Sequence, residues 1–398
     1  MKSLFQKINI DYNKRLQIPS LDGIRGIAII GIMLYHFFEM PYGAWFSMDL
    51  FFVLSGFLIT GILLDSKTDK HYYKNFIVRR GLRILPLYYG VLIIFFIVVP
   101  LIVNKSGLAP FSVYYDNQFY FWVYLQNWIL LLKEPELIGK GRIFLHLWSL
   151  AIEEQFYIVW PIVILLFNIK NLVKIIVALI LLSAALNCYY FFSNHSWQYT
   201  YFSTLCRLDS LCIGALIAVA VRNSSFISKL EKITPYIFKI LFAVLLTAIF
   251  VGRPKAPADQ FLEPVSTLLF SIFFASMILY GFSNHKNNFV KRILELKALR
   301  FFGKYSYSMY IFHVPILILL RPALFKYLQK NIPHTIAYIT DNLICLLLVI
   351  AVSQLTWYLI EKPFLKLKRF FNHSITKTDS VTYSVIQQPP IVINNVIK

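Results

Sequence analysis

The chain has 398 residues, of which 58% are hydrophobic, 17% aromatic and 15% charged, with a formal net charge of +20. This balance excludes an ordinary soluble domain and makes the bilayer the solvent of the chain. The basic excess needs no nucleic acid to account for it, because Lys and Arg gather where anionic headgroups and cytoplasmic anions lie.

Apolar stretches long enough to cross a bilayer fall at 24–40, 48–64, 84–103, 144–167, 172–192, 203–221, 236–251, 264–282, 305–321 and 342–360. They predict an all-α polytopic membrane bundle of about ten transmembrane helices. A further aromatic stretch at 119–132 fits an interfacial or re-entrant segment. Residues 1–20 contain no apolar run and no small-residue cleavage site, so they read as a cytoplasmic N-terminal segment rather than a removable signal peptide. Residues 21–363 form the transmembrane domain, and 364–398 read as a polar, disordered cytoplasmic tail. An even number of spans puts both termini on one side. With that side cytoplasmic, 27 of the 39 Lys and Arg residues fall on internal segments and 9 on external ones, which is the positive-inside arrangement.

The first span, LDGIRGIAIIGIMLYH, carries Arg25 and His36. At about 100° and 1.5 Å per residue they share one face of a helix, about 16 Å apart along its axis. Ionisable groups in such a helix face a cavity or a partner rather than lipid. Asp49 opens the second span, where the backbone donors of a helix N-terminus would satisfy its carboxylate as readily as a distant partner would. The loop that follows concentrates Lys67, Lys70, Lys74, Arg79, Arg80 and Arg83. Arg80 and Arg83 are i,i+3 neighbours on a helix, so their charges repel unless an anion lies between them. Headgroup anchoring and a phosphate clamp both fit this pattern, the second because guanidinium forks match phosphate oxygens in pairs.

The longest external segment, 104–142, is rich in Tyr, Phe and Trp, which suits an interfacial belt or a platform for a sugar ring. The fourth span opens HLWSLAIEEQFYIVWP, with Trp148, Ser149, Glu153 and Glu154. Adjacent glutamates point about 100° apart, and Glu153 shares a face with Ser149 and Tyr157. Counted from opposite sides, Glu153 and His36 reach comparable depth, about 14 Å and about 18 Å into a core of about 30 Å. That coincidence suggests a histidine/carboxylate site. The same carboxylates would also serve as structural partners of a basic residue. Arg207 and Asp209 in the sixth span cannot face each other, so each is expected to pair with another helix. In the ninth span Ser306, Tyr310 and His313 fall at i, i+4 and i+7, a polar stripe suited to interhelical hydrogen bonding or to a site. Cys188, Cys206, Cys212 and Cys345 lie in or beside apolar spans without metal-ligand spacing, so neither disulfide nor metal is expected.

Taken in order, LDGIRG with the Arg-x10-His pair, DLFFVLSGFLIT, RRGLRILPLYY, WSLAIEEQFYIVWP, RLDSLCIG, YSYSMYIFHVP and IEKP resemble acyltransferase family 3, the integral-membrane acyl-CoA-dependent O-acyltransferases. The likeness runs from Leu21 to Pro363. Ser47 and Met48 stand where the family usually has Gly-Val, and the sequence carries no hydrolase-like domain of the kind some members append. The resemblance implies that His36 is catalytic with Glu153 or Glu154 in support, and that Arg25, Arg80 and Arg83 serve the acyl-CoA. Asp49, Trp148, Ser149, Arg207, Asp209, Tyr310 and His313 would be supporting or substrate-binding residues. It also implies acyl-CoA, most simply acetyl-CoA, as donor substrate with no permanently bound cofactor, a carbohydrate acceptor, no nucleic acid, and the bacterial cytoplasmic membrane. A transporter or flippase for a lipid-linked sugar is the rival reading, with Arg25, His36 and Glu153 lining a pathway. The absence of internal repeats and the Arg80/Arg83 cluster weigh against it.

Overall fold

The computed structural model describes residues 19–39, 46–132, 142–193, 197–252, 263–282 and 288–371. The expected tail beyond 371, and all but the last two residues of the expected N-terminal segment, lie outside them. Every long element is a helix: α1 Pro19–Phe38, α2 Ser47–Asp65, α3 Tyr72–Ile93, α4 Trp148–Leu166, α5 Ile169–Phe192, α6 Leu208–Ala220, α7 Ser224–Gly252, α8 Glu263–Phe282, α9 Lys297–Leu328 and α10 His334–Thr356. Seven helical stretches among the described residues are long and apolar enough to cross a membrane. Each expected apolar stretch coincides with a helix, but the boundaries move. α3 starts at Tyr72, not at 84, so Arg79, Arg80 and Arg83 stand on a helix rather than in a loop. α6 is only 13 residues long, preceded by a 3-10 turn at Leu205–Arg207.

Two helices are extended through π-helical turns, Ile94–Val98 after α3 and Trp357–Glu361 after α10. Each lies just ahead of a proline, Pro100 and Pro363. A proline ring clashes with the carbonyl four residues earlier and offers no N–H, and the wider turn accommodates both defects.

Small residues set the two closest helix crossings. α1 and α9 run in the same direction, with Asp22 beside Gly303 and the His36 ring beside His313. A Cβ at Gly23 would lie 1.7 Å from the Leu294 carbonyl oxygen, and one at Gly26 2.0 Å from that of Leu299. α2 and α6 meet the same way, since a Cβ at Gly56 would lie 1.9 Å from the Leu211 carbonyl oxygen. In a bilayer no hydrophobic force separates helix from lipid, so backbone approach of this kind supplies the packing energy. Large apolar side chains such as Leu181, Ile240 and Leu347 are exposed on the outer faces, where a bilayer would solvate them.

The aromatic stretch at 119–132 is not one continuous helix. It folds into short helices, Gln118–Trp122 and Gln126–Leu132. Phe121 is buried, while the hydroxyls of Tyr88 and Tyr89 donate to the carbonyls of Phe121 and Trp122 at 2.8 and 3.1 Å. Between the short helices Tyr124 adopts φ 57°, a left-handed conformation unusual for a tyrosine. Its carbonyl receives the Gln155 side-chain amide at 2.8 Å.

Candidate functional site

The α1–α9 crossing, with α2, α3 and α4 closing around it, leaves a cavity with about 740 Å³ unfilled by atoms, its mouth included. Arg25, Ser55, Arg80, Arg83, Ser149, Glu153, Tyr157, Ser306, Tyr307 and Tyr310 line it. Five helices therefore contribute polar groups to one space, which apolar packing alone would not require.

The charged groups of the lining are three arginines against one carboxylate, Glu153. Arg25 donates to Asp22 at 3.0 Å and lies within electrostatic reach of Arg80 and Arg83. Lys368 approaches the same arginines from the segment after α10. The Arg80 guanidinium stands over the Tyr157 ring at 5.3 Å. Neither Arg80 nor Arg83 forms an ion pair among the described residues. Glu361, from the IEKP segment, is buried against the Ser308 hydroxyl and is an electrostatic neighbour of Arg83. Neither Lys368 nor Glu361 belongs to a polar stripe that the sequence marks as part of a site. The IEKP motif pointed to Glu361, but nothing in the pattern brought the end of the helix back to α3.

Adjacent glutamates take separate roles. Glu153 faces the cavity and accepts from the Ser55 hydroxyl at 2.5 Å, and Tyr157 donates to Ser55 at 3.1 Å. Glu154 sits among Tyr89, Tyr124 and Tyr307, with its Oε1 unpartnered. The expected pairing of Glu153 with His36 is not made. Equal depth did not make them neighbours, because helix rotation turns Glu153 toward α2.

His36 lies beyond the basic cavity, farther along α1. Its half-buried ring packs against the imidazole of His313 with centroids 4.9 Å apart, and His313 packs against that of His146 at 4.8 Å. The α9 stripe joins the two regions: Ser306 and Tyr310 line the cavity, and His313 reaches His36. The Tyr310 hydroxyl lies 2.6 Å from Ser149 and donates to the His146 carbonyl. His146 is the first residue of the HLWSLAIEEQ motif, and only the packing of this turn against α9 brings its ring to His313.

Asp49 is not a helix-terminal carboxylate satisfied by its own backbone. It is buried and accepts from Arg207 at 3.1 Å and from the Ser210 hydroxyl at 3.0 Å, which ties α2 to α6. Arg207 also covers the rings of Trp148 and Tyr201 at 5.8 and 4.8 Å. Asp209 finds no cation on another helix among the described residues; its Oδ1 accepts from the Ser210 backbone at 2.7 Å. Asp49, Arg207 and Asp209 thus form a separate buried cluster, with Trp148 at its edge. Among the described residues no group of three or more His, Cys, Asp or Glu side chains is arranged to hold a metal.

The molecule is thus a helical membrane bundle whose cavity carries three arginines, with a half-buried histidine farther along α1. Residues 18–358 match the family described as "Acyltransferase domain", and the chain belongs to that family, acyltransferase family 3. It is 30% identical over 371 residues to a protein of Listeria monocytogenes named peptidoglycan O-acetyltransferase OatA, covering 88% of this chain and 56% of the relative. It is 28% identical over 380 residues to the O-acetyltransferase OatA of Staphylococcus aureus strain NCTC 8325, covering 91% and 59%. A putative O-acetyltransferase of S. aureus strain COL is 29% identical over 375 residues, covering 89% and 58%. The chain thus spans a little over half the length of these relatives. No solved structure matches it.

Proposed function

We propose that the protein is a membrane O-acyltransferase that moves an acetyl group from acetyl-CoA to a hydroxyl of a cell-envelope carbohydrate, with peptidoglycan or its precursor the acceptor class that the relatives' names suggest. The observation carrying this reading is the convergence of Arg25, Arg80 and Arg83 on one cavity, with Lys368 an electrostatic neighbour of all three. Like charges placed so close are stabilised by a polyanion between them, and guanidinium forks suit the phosphates of coenzyme A. The pantetheine arm would run along the polar α9 stripe toward His36, about 16 Å along α1 from Arg25.

At that end a neutral histidine is matched to the chemistry near pH 7. The acceptor oxygen bonds the thioester carbon while His36 takes the hydroxyl proton. The C–S bond then breaks and the same proton passes to the departing sulfur, so the products are the O-acetyl ester and free coenzyme A. Glu153, held by Ser55, would shape the donor site rather than assist the imidazole. On this reading both termini are cytoplasmic and the membrane is the bacterial cytoplasmic one, since the cavity would have to meet cytoplasmic acetyl-CoA.

Radiolabelled acetyl-CoA supplied to the protein in liposomes with a peptidoglycan fragment tests this reading. Label should appear in the carbohydrate with wild type and not with His36→Ala, while acetyl-CoA still raises the thermal stability of both. Unchanged turnover in His36→Ala removes the histidine from the chemistry; failure of wild type to bind any acyl-CoA removes the donor.

A further inference from the structure

A base that must accept a proton at one ring nitrogen needs something to hold the other, and in many hydrolases a carboxylate does this. Here no hydrogen bond joins His36 to a carboxylate among the described residues. Its ring instead meets a second imidazole, which meets a third. The hydrogen bonds of these two histidines fix their tautomers. His313 Nδ1 lies 2.7 Å from the Tyr310 carbonyl oxygen, and His146 Nε2 lies 3.3 Å from that of Ile311. A carbonyl only accepts, so in the neutral ring the proton sits on Nδ1 of His313 and on Nε2 of His146. The remaining nitrogens, Nε2 of His313 and Nδ1 of His146, are buried lone pairs without a partner. An acceptor buried without a partner is costly to keep, and two beside a half-buried histidine call for a donor.

We infer that His313, backed by His146, is the positioning residue of His36, a neutral imidazole acceptor that takes the His36 N–H and leaves the opposite nitrogen free for the acceptor hydroxyl. The inference rests on the proposed O-acetyl transfer and goes beyond it by assigning what orients the base. The aromatic groups Tyr35 and Tyr310 flank this row of rings. Because the orienting group is neutral, it would direct the His36 proton without trapping the ring as a permanent ion pair. When His36 becomes an imidazolium during attack, its bond to His313 becomes charge-assisted and strengthens at the moment it is needed. The polar stripe of α9 would then carry two functions, the donor path at Ser306 and Tyr310 and the orientation of the base at His313.

The test is nitrogen NMR of the full chain in nanodiscs, histidine labelled with nitrogen-15, together with kinetics of two variants. In wild type His313 should show a protonated Nδ1, His146 a protonated Nε2, and His36 one fixed tautomer that becomes averaged in His313→Phe. In acetyl transfer, His313→Phe should lower kcat by at least about 100-fold with KM for acetyl-CoA unchanged. His313→Gln, which restores an acceptor oxygen near the position of Nε2, should recover most of that loss. Equal losses in the two variants, a rise in KM, or averaged tautomers in wild type would each overturn the assignment. If wild type transfers no acetyl group at all, it is the proposed function that fails, and the wild-type spectra still decide the imidazole arrangement.

Discussion

Each arginine of the cavity is held by contacts that leave its charge available. Arg25 has one carboxylate partner, while Arg80 rests on the Tyr157 ring and Arg83 has Glu361 as an electrostatic neighbour. If their work is to bind donor phosphates, Arg83→Ala should raise KM for acetyl-CoA about tenfold or more while kcat falls less, since a charge-assisted hydrogen bond contributes about 1.5–3 kcal/mol. Arg80→Lys should restore charge but not the paired geometry, and only partly recover KM. Steady-state kinetics at varied acetyl-CoA distinguish these outcomes. Ser55→Ala removes the donor at 2.5 Å from Glu153 and should weaken donor binding without touching the tautomers of the histidine row.

At the level of helices, packing and charge do different work. The α1–α9 crossing is set by glycine: a side chain at Gly26 would collide with the Leu299 backbone. Gly26→Leu should therefore force the helices apart and cost about 1–3 kcal/mol or more, read as a lower melting temperature in detergent. It should also uncouple donor binding from transfer, because Arg25 and Tyr310 ride on the two helices that part. The α2–α6 contact adds a buried ion pair, Asp49 with Arg207, whose side chains are 2% and 3% exposed. Removing one partner strands a buried charge, so Arg207→Met should destabilise by about 3–5 kcal/mol, and the double variant with Asp49→Leu should recover much of the loss. Thermal denaturation of both variants, followed by size-exclusion chromatography, checks this.

Across the whole molecule, the proposed orientation places the turn between α2 and α3 inside and the turn between α9 and α10 outside. In a Cys188→Ser background, a membrane-impermeant maleimide added to intact cells should label Lys330→Cys at once and His71→Cys only after permeabilisation. Both positions are exposed, and the other three cysteines are buried. The opposite labelling pattern would invert the topology and separate the basic cavity from its cytoplasmic donor.

Composition and hydropathy alone imply a helical membrane bundle, because runs of apolar residues of bilayer length have few other solutions. Spacing along the chain puts Arg25 and His36 on one face, and Ser306, Tyr310 and His313 on another, since helical periodicity is a local property. The order of motifs along the chain carries the family resemblance without any packing. Which faces meet follows from packing, not from local periodicity. Helix rotation turned Glu153 into the cavity and Glu154 among tyrosines, the crossing of α1 with α9 brought His313 to His36, and the segment after α10 returned Glu361 and Lys368 to the arginines. Sequence spacing fixes the depth and direction of a side chain on its own helix. It carries no information on the rotation and partner of that helix, which are set by close backbone contacts such as that of Gly23 with Leu294, 271 residues away in the chain.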